Sequence, residues 1–94
     1  MSQRKSIPEF RPLTGAQIRA ARALLRWSAE HLARECALGL ATIRRAEGAD
    51  DEISMTTANN LAVRRVLELA GVEFIDENGG GPGVRLRKRQ QKKG

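Results

Sequence analysis

Arg44 and Arg45 stand side by side in LATIRRAE, residues 40–47. A guanidinium is a permanent cation with several N–H donors and no acceptor, so two on one short segment suit recognition better than bond-making chemistry. The partners that fit such a fork are phosphate oxygens and the O6/N7 edge of guanine. The neighbouring residues narrow the choice. Leu40 and Ala41 can touch a thymine methyl but cannot hydrogen-bond a base edge, whereas the hydroxyls of Thr42 and Ser28 can donate to phosphate. Arg45 is the candidate for direct readout of guanine. Arg44, one step round the helix, suits phosphate or a second base. The competing reading is that the arginine pair is a solvated helix face.

Catalytic chemistry has no comparable support. The chain has one cysteine, Cys36, and one histidine, His31. This precludes an internal disulfide, and one of each does not make a zinc site. Cys36 falls on the apolar face of its helix and reads as a small core hydrophobe; His31 lies in a polar stretch and reads as a surface residue. The glycine run 79–83, GGGPG, has no following helix and no lysine–serine/threonine signature, so it reads as a turn and not a phosphate loop. The chain is expected not to be an enzyme and to need no cofactor.

The elements that must position Arg44 and Arg45 follow from periodicity and caps. Thr14 caps helix 1, which runs to about Arg26, with Ile18, Ala21 and Leu25 on one face and Arg19, Arg22 and Arg26 on another. Ser28 caps helix 2, with Glu30 in its first turn, and Leu32, Ala33 and Cys36 line its inner stripe. Ala37-Leu38-Gly39 connects to helix 3, Leu40–Glu47, whose Ile43 and Ala46 point inward; Leu40, Ala41, Arg44 and Arg45 are left largely outside. Leu38 is expected to plug the gap between the two helices. Helix 4 begins at Ser54, Thr56 or Thr57 and runs to about Ala70, with Val63, Val66, Leu67 and Ala70 on one face and Gly71 as terminator. The pattern then changes period, and 72–75 and 84–87 read as short strands able to pair as a hairpin. Two short helices joined by a tight turn, the second narrow enough for the major groove, outline a helix-turn-helix.

Ninety-four residues make one domain. Residues 1–13, with Pro8 and Pro12, read as an extended basic arm; 14–70 as the helical domain; 71–89 as the hairpin extension; and 90–94 as a disordered tail. The net charge is +6, and its distribution is informative. Residues 84–94 carry six basic residues and no acid, 1–13 carry three against one, and 14–83 carry eight against ten. Basic ends on a near-neutral middle suit arms that touch phosphate, although tails of this kind also serve solubility alone. Aromatic residues are 3%, which weighs against RNA recognition by base stacking. No apolar run is long enough to span a membrane, and MSQRKSIPEF lacks the apolar stretch of a signal peptide. The expected compartment is therefore the cytoplasm, with nucleoid association when bound to DNA.

Residues 14–47 resemble the Xre/Cro family of helix-turn-helix regulators, the phage-repressor type. The pattern is Ile18, Arg22, Ser28, Leu32-Ala33, Leu38, Thr42-Ile43 and Glu47. The resemblance implies a mainly α, lambda-repressor-like four-helix domain, with the hairpin added beyond it. It also implies a partly buried Arg22–Glu47 salt bridge that fixes helix 3 against helix 1. Four positions depart from the family. Ala37 stands where glycine is common, and a left-handed backbone would strain alanine, so a somewhat different turn is expected. Gly39 replaces a side-chain cap, Ala29 replaces glutamine, and Leu40-Ala41 replace polar readers. The function implied is sequence-specific binding of double-stranded DNA through Ser28, Leu40, Ala41, Thr42, Arg44 and Arg45. A single arginine contact discriminates weakly, so a homodimer on an inverted repeat is expected, with the hairpin as candidate contact. Repression is the simpler outcome. The alternative is an antitoxin or anti-activator that acts mainly on a protein partner, a toxin or an activator.

Overall fold

A computed structural model of the chain describes residues 11–49, 55–76 and 79–88. Four helices precede a two-stranded antiparallel hairpin: α1 (Gly15–Leu25), α2 (Ala29–Cys36), α3 (Leu40–Glu47), α4 (Thr57–Leu69), β1 (Val72–Ile75) and β2 (Gly83–Leu86). The mainly helical fold class with a C-terminal hairpin is as the sequence predicts. The N-terminal residues 1–10 and the segment 89–94, on which the basic arm and tail were placed, lie outside the described residues.

Helix starts follow local chemistry. Thr14 and Gln17 form a reciprocal capping box: the Gln17 N–H donates to Thr14 Oγ1 at 3.0 Å, and the Thr14 N–H donates to Gln17 Oε1 at 3.0 Å. Ser28 and Thr56 cap α2 and α4 by accepting from the N–H groups of His31 and Asn59. Thr56 is thus the cap among the three candidates; Ser54 lies outside the described residues.

Helix ends are less conventional. α1 closes on Arg26 at φ 61° and α2 on Ala37 at φ 58°, both left-handed and neither glycine. In each, the next N–H reaches back to the helix: Trp27 to the Arg22 carbonyl at 3.0 Å and Leu38 to the Ala33 carbonyl at 2.9 Å. This is the 6→1 closure of a Schellman turn, and Trp27 and Leu38 pack against the core as its usual apolar partners. The expectation of a different turn at Ala37 is therefore overturned. The closure hydrogen bonds and the seating of Leu38 hold the left-handed backbone despite the Cβ.

The core gathers Ile18 and Ala21 of α1, Leu32 and Ala33 of α2, Ile43 and Ala46 of α3, Val63 and Leu67 of α4, and Val72 of β1. Leu13 joins them at 1% exposure, so the segment read as an arm enters the core at its last residue. Its N–H donates to Oδ1 of buried Asn60 at 3.3 Å, which ties the lead-in of α1 to α4. Asn60 Nδ2 is buried with no partner among the described residues.

Glycine at 15 is a packing requirement. A Cβ there would lie 2.2 Å from the Ala49 carbonyl oxygen and 2.6 Å from that of Ala46, and the Gly15 N–H donates to Ala49 O at 3.0 Å. The start of α1 thus sits directly on the end of α3.

In the hairpin, Val72 faces Leu86 and Phe74 faces Val84. These four share one side of the ladder, and Val72, Phe74 and Val84 pack on the helical core. On the other side Arg85 Nε meets Glu73 Oε1 at 2.7 Å and holds the Glu73 carboxyl below its ordinary pKa. Gln17 Nε2 donates to the Gly83 carbonyl at 3.0 Å, fastening the hairpin to α1.

Two opposite responses are expected. Gly15→Ala forces the α1–α3 backbones apart and should lower stability by about 1–3 kcal/mol. Ala37→Gly relieves a left-handed alanine and should raise it by roughly 0.5–1 kcal/mol. Urea denaturation followed by circular dichroism checks both.

Candidate nucleic-acid interface

The end of α3 is anchored to α1 by a bidentate ion pair. Arg22 Nε contacts Glu47 Oε2 at 2.7 Å and Arg22 Nη2 contacts Oε1 at 2.8 Å, a bidentate fork. The Glu47 side chain is 9% exposed and that of Arg22 23%. The Glu47 hydrogen bond raises the Arg22 pKa above its ordinary value against the opposing effect of burial. Arg22 Nη1 also donates to the Trp27 carbonyl at 2.9 Å, and Arg19 Nη1 donates to the Glu47 carbonyl. The last turn of α3 is thereby held by two arginines of α1, while Ile43 and Ala46 bury its inner face.

The outer face of α3 carries the predicted residues. Ala41, Arg44 and Arg45 are exposed; Thr42 is half-buried. Leu40, expected to be largely outside, is half-buried and packs against the core. The cause is helical spacing: Leu40 lies three residues before Ile43 and seven before Glu47, at the edge of the buried stripe. Arg44 Nη2 lies 3.5 Å from Glu30 Oε2 of α2, an exposed pair that water screens. Arg45 has no ion-pair partner among the described residues. Ser28 is exposed, and its oxygen accepts the His31 N–H, an arrangement that leaves its hydroxyl hydrogen to donate outward. The exposed positions of α3 thus combine two guanidiniums with a small residue that admits close approach.

His31 lies at the surface, as read, with its side chain 37% exposed, but it is not solitary there. Its ring stacks on Trp27 with centroids 4.3 Å apart and planes 15° apart, and its Nε2 lies 3.5 Å from Glu35 Oε2. The i, i+4 spacing of Trp27, His31 and Glu35 is the sequence signal for this row. Cys36 is half-buried, and burial together with the nearby Glu35 carboxylate pushes its thiol up to about 11. It packs as a hydrophobe and stays protonated near neutral pH. Among the described residues no group of three or more histidine, cysteine or acidic side chains is placed to hold a metal ion, and no helix there is long and apolar enough to cross a membrane.

Comparison with known protein families finds no family model that matches the chain, and comparison with curated proteins finds no match.

Glu47→Ala removes one half of a largely buried pair and strands the Arg22 guanidinium; it should cost about 3 kcal/mol of stability in urea denaturation. Because the Cys36 thiol titrates near 11, iodoacetamide at pH about 8 should alkylate the folded chain much more slowly than the urea-unfolded chain, where the thiol has its ordinary pKa. Mass spectrometry of timed aliquots reads the difference.

Proposed function

We propose that this chain is a sequence-specific DNA-binding transcriptional regulator of the Xre/Cro type, acting in the cytoplasm as a repressor and bound as a dimer to an inverted repeat. The observation that carries this reading is the asymmetry of α3. Its inner face and its last turn are fixed by Ile43, Ala46 and the Arg22–Glu47 fork, while Ala41, Arg44 and Arg45 face solvent. A short helix immobilised on one side and cationic on the other is what major-groove entry requires.

The roles follow from exposure and pairing. Arg45, which has no ion-pair partner among the described residues, donates to guanine O6 and N7. Arg44 exchanges its weak contact with Glu30 for phosphate or a second base. Ala41 and the exposed part of Leu40 meet thymine methyl groups, and Ser28 and Thr42 donate to phosphate. The net charge of +6 adds attraction to DNA that salt screens and sequence does not modulate.

Fluorescence-anisotropy titration on DNA from the region upstream of the coding sequence, at two salt concentrations and against scrambled DNA, tests the reading. Preference for the upstream DNA that persists at the higher salt is expected. Equal binding that collapses with salt would overturn sequence-specific regulation and leave only charge attraction, and action on a protein partner would replace it. Arg45→Ala should lose about 1–3 kcal/mol of discrimination between the preferred and scrambled DNA while retaining most of the affinity for scrambled DNA; uniform weakening would assign Arg45 to phosphate.

A further inference from the structure

The outer face of α4 is largely apolar, and none of the described residues covers it. Leu61 is 46% exposed and Leu69 81%. Two shallow hollows flank this face and share Val66. One is lined by Ala58, Leu61, Ala62 and Arg65, the other by Leu69, Ala70, Trp27 and Glu35. At about 100° per residue, Leu61 and Arg65 fall on one flank of the helix and Val66 and Ala70 on the other, with Ala58, Ala62 and Leu69 along the middle. Trp27 and Glu35 extend the second flank. One flank therefore carries a cation and the other an anion, on either side of an apolar strip.

That arrangement is self-complementary. A two-fold axis running along α4 sets each flank against the opposite flank of a second copy. Glu35 then meets the partner's Arg65, and Leu69 meets the partner's Leu69. The small side chains of Ala58 and Ala62 let the two helices approach closely. The hairpin is less suited to this contact, because Val72, Phe74 and Val84 already lie on the protein's own helices. We propose that α4 is the homodimer interface, with the Glu35 and Arg65 flanks pairing across the two-fold axis. This deepens the regulatory reading by naming the contact of its dimer, but it is argued from the surface of α4 alone.

The test is sedimentation equilibrium of the full chain without DNA, from micromolar to hundreds of micromolar. The native chain should dimerise, and the emission of Trp27, the chain's one tryptophan, should shift to the blue as it does so. Leu69→Glu should weaken dimerisation by about tenfold or more with unchanged circular dichroism. Glu35→Arg and Arg65→Glu should each weaken it, and the two combined should restore it. A native chain that is monomeric throughout, or a Leu69→Glu chain that dimerises as the native one does, would overturn the proposal. So would a double variant that dimerises no better than the single ones. Binding of the Leu69→Glu chain to a half-site duplex separates this outcome from the DNA reading: loss of the dimer with retained half-site binding leaves α3 in its proposed role.

Discussion

The fork between Arg22 and Glu47 is the interaction on which the rest of this small domain depends. It joins the last turn of α1 to the last residue of α3, two elements brought close by the cramped approach of Gly15 to the carbonyls of Ala46 and Ala49. A core of this size, built largely from alanine, valine and leucine, leaves little apolar area with which to fix the tilt of an eight-residue helix. A charged pair with four hydrogen-bonding atoms in fixed geometry supplies the direction that packing alone lacks. The same Arg22 also holds the Trp27 carbonyl, so the end of α1, the start of α2 and the end of α3 meet on one guanidinium. Orientation of the outward arginines is therefore set from the inside.

The two left-handed closures complete that frame. Arg26 and Ala37 occupy positions where glycine would be relaxed, and in both the following apolar residue is drawn into the core. The backbone is thus held in an unfavourable region by the closure bonds and by the packing that comes after it. This constraint bears on the proposed role, because the angle between α2 and α3 decides whether Ser28 and the α3 arginines can engage one surface together.

Much of this was legible in the residues themselves. The caps at Thr14, Ser28 and Thr56, the inner stripes of the helices and the period change at Val72 all follow from local rules that operate within a few positions. The Arg22–Glu47 pair came through family resemblance, since no local pattern links positions so far apart. What stayed hidden depended on tertiary approach. Gly15 looks like an ordinary residue in the first turn of a helix until the carbonyls of α3 arrive above it. Leu13 sits between Pro12 and a cap and has no periodic partner, so its burial against Asn60 has no signature in the chain. Leu40 is in the first turn with Ala41, but it lies three residues before Ile43 and seven before Glu47, so its side chain borders the buried stripe that those two define. The left-handed backbone at Ala37 is disfavoured by the residue's own cost, and what offsets it, the closure bonds and the seating of Leu38, is not contained in that residue.

Gln17 links two parts of the molecule separated by most of its length. Its carbonyl oxygen serves the Thr14 N–H three residues away, while its amide reaches Gly83, 66 positions on. The first contact closes a minimal loop and the second a very long one, so they differ greatly in the chain entropy each must overcome. The capping box can form within the first turn of α1, whereas the Gly83 contact requires the hairpin to be docked on the helices. One glutamine side chain thus ties the most local contact of the domain to one of its most distant, and the core it borders is closed only when Val72 of β1 is seated in it.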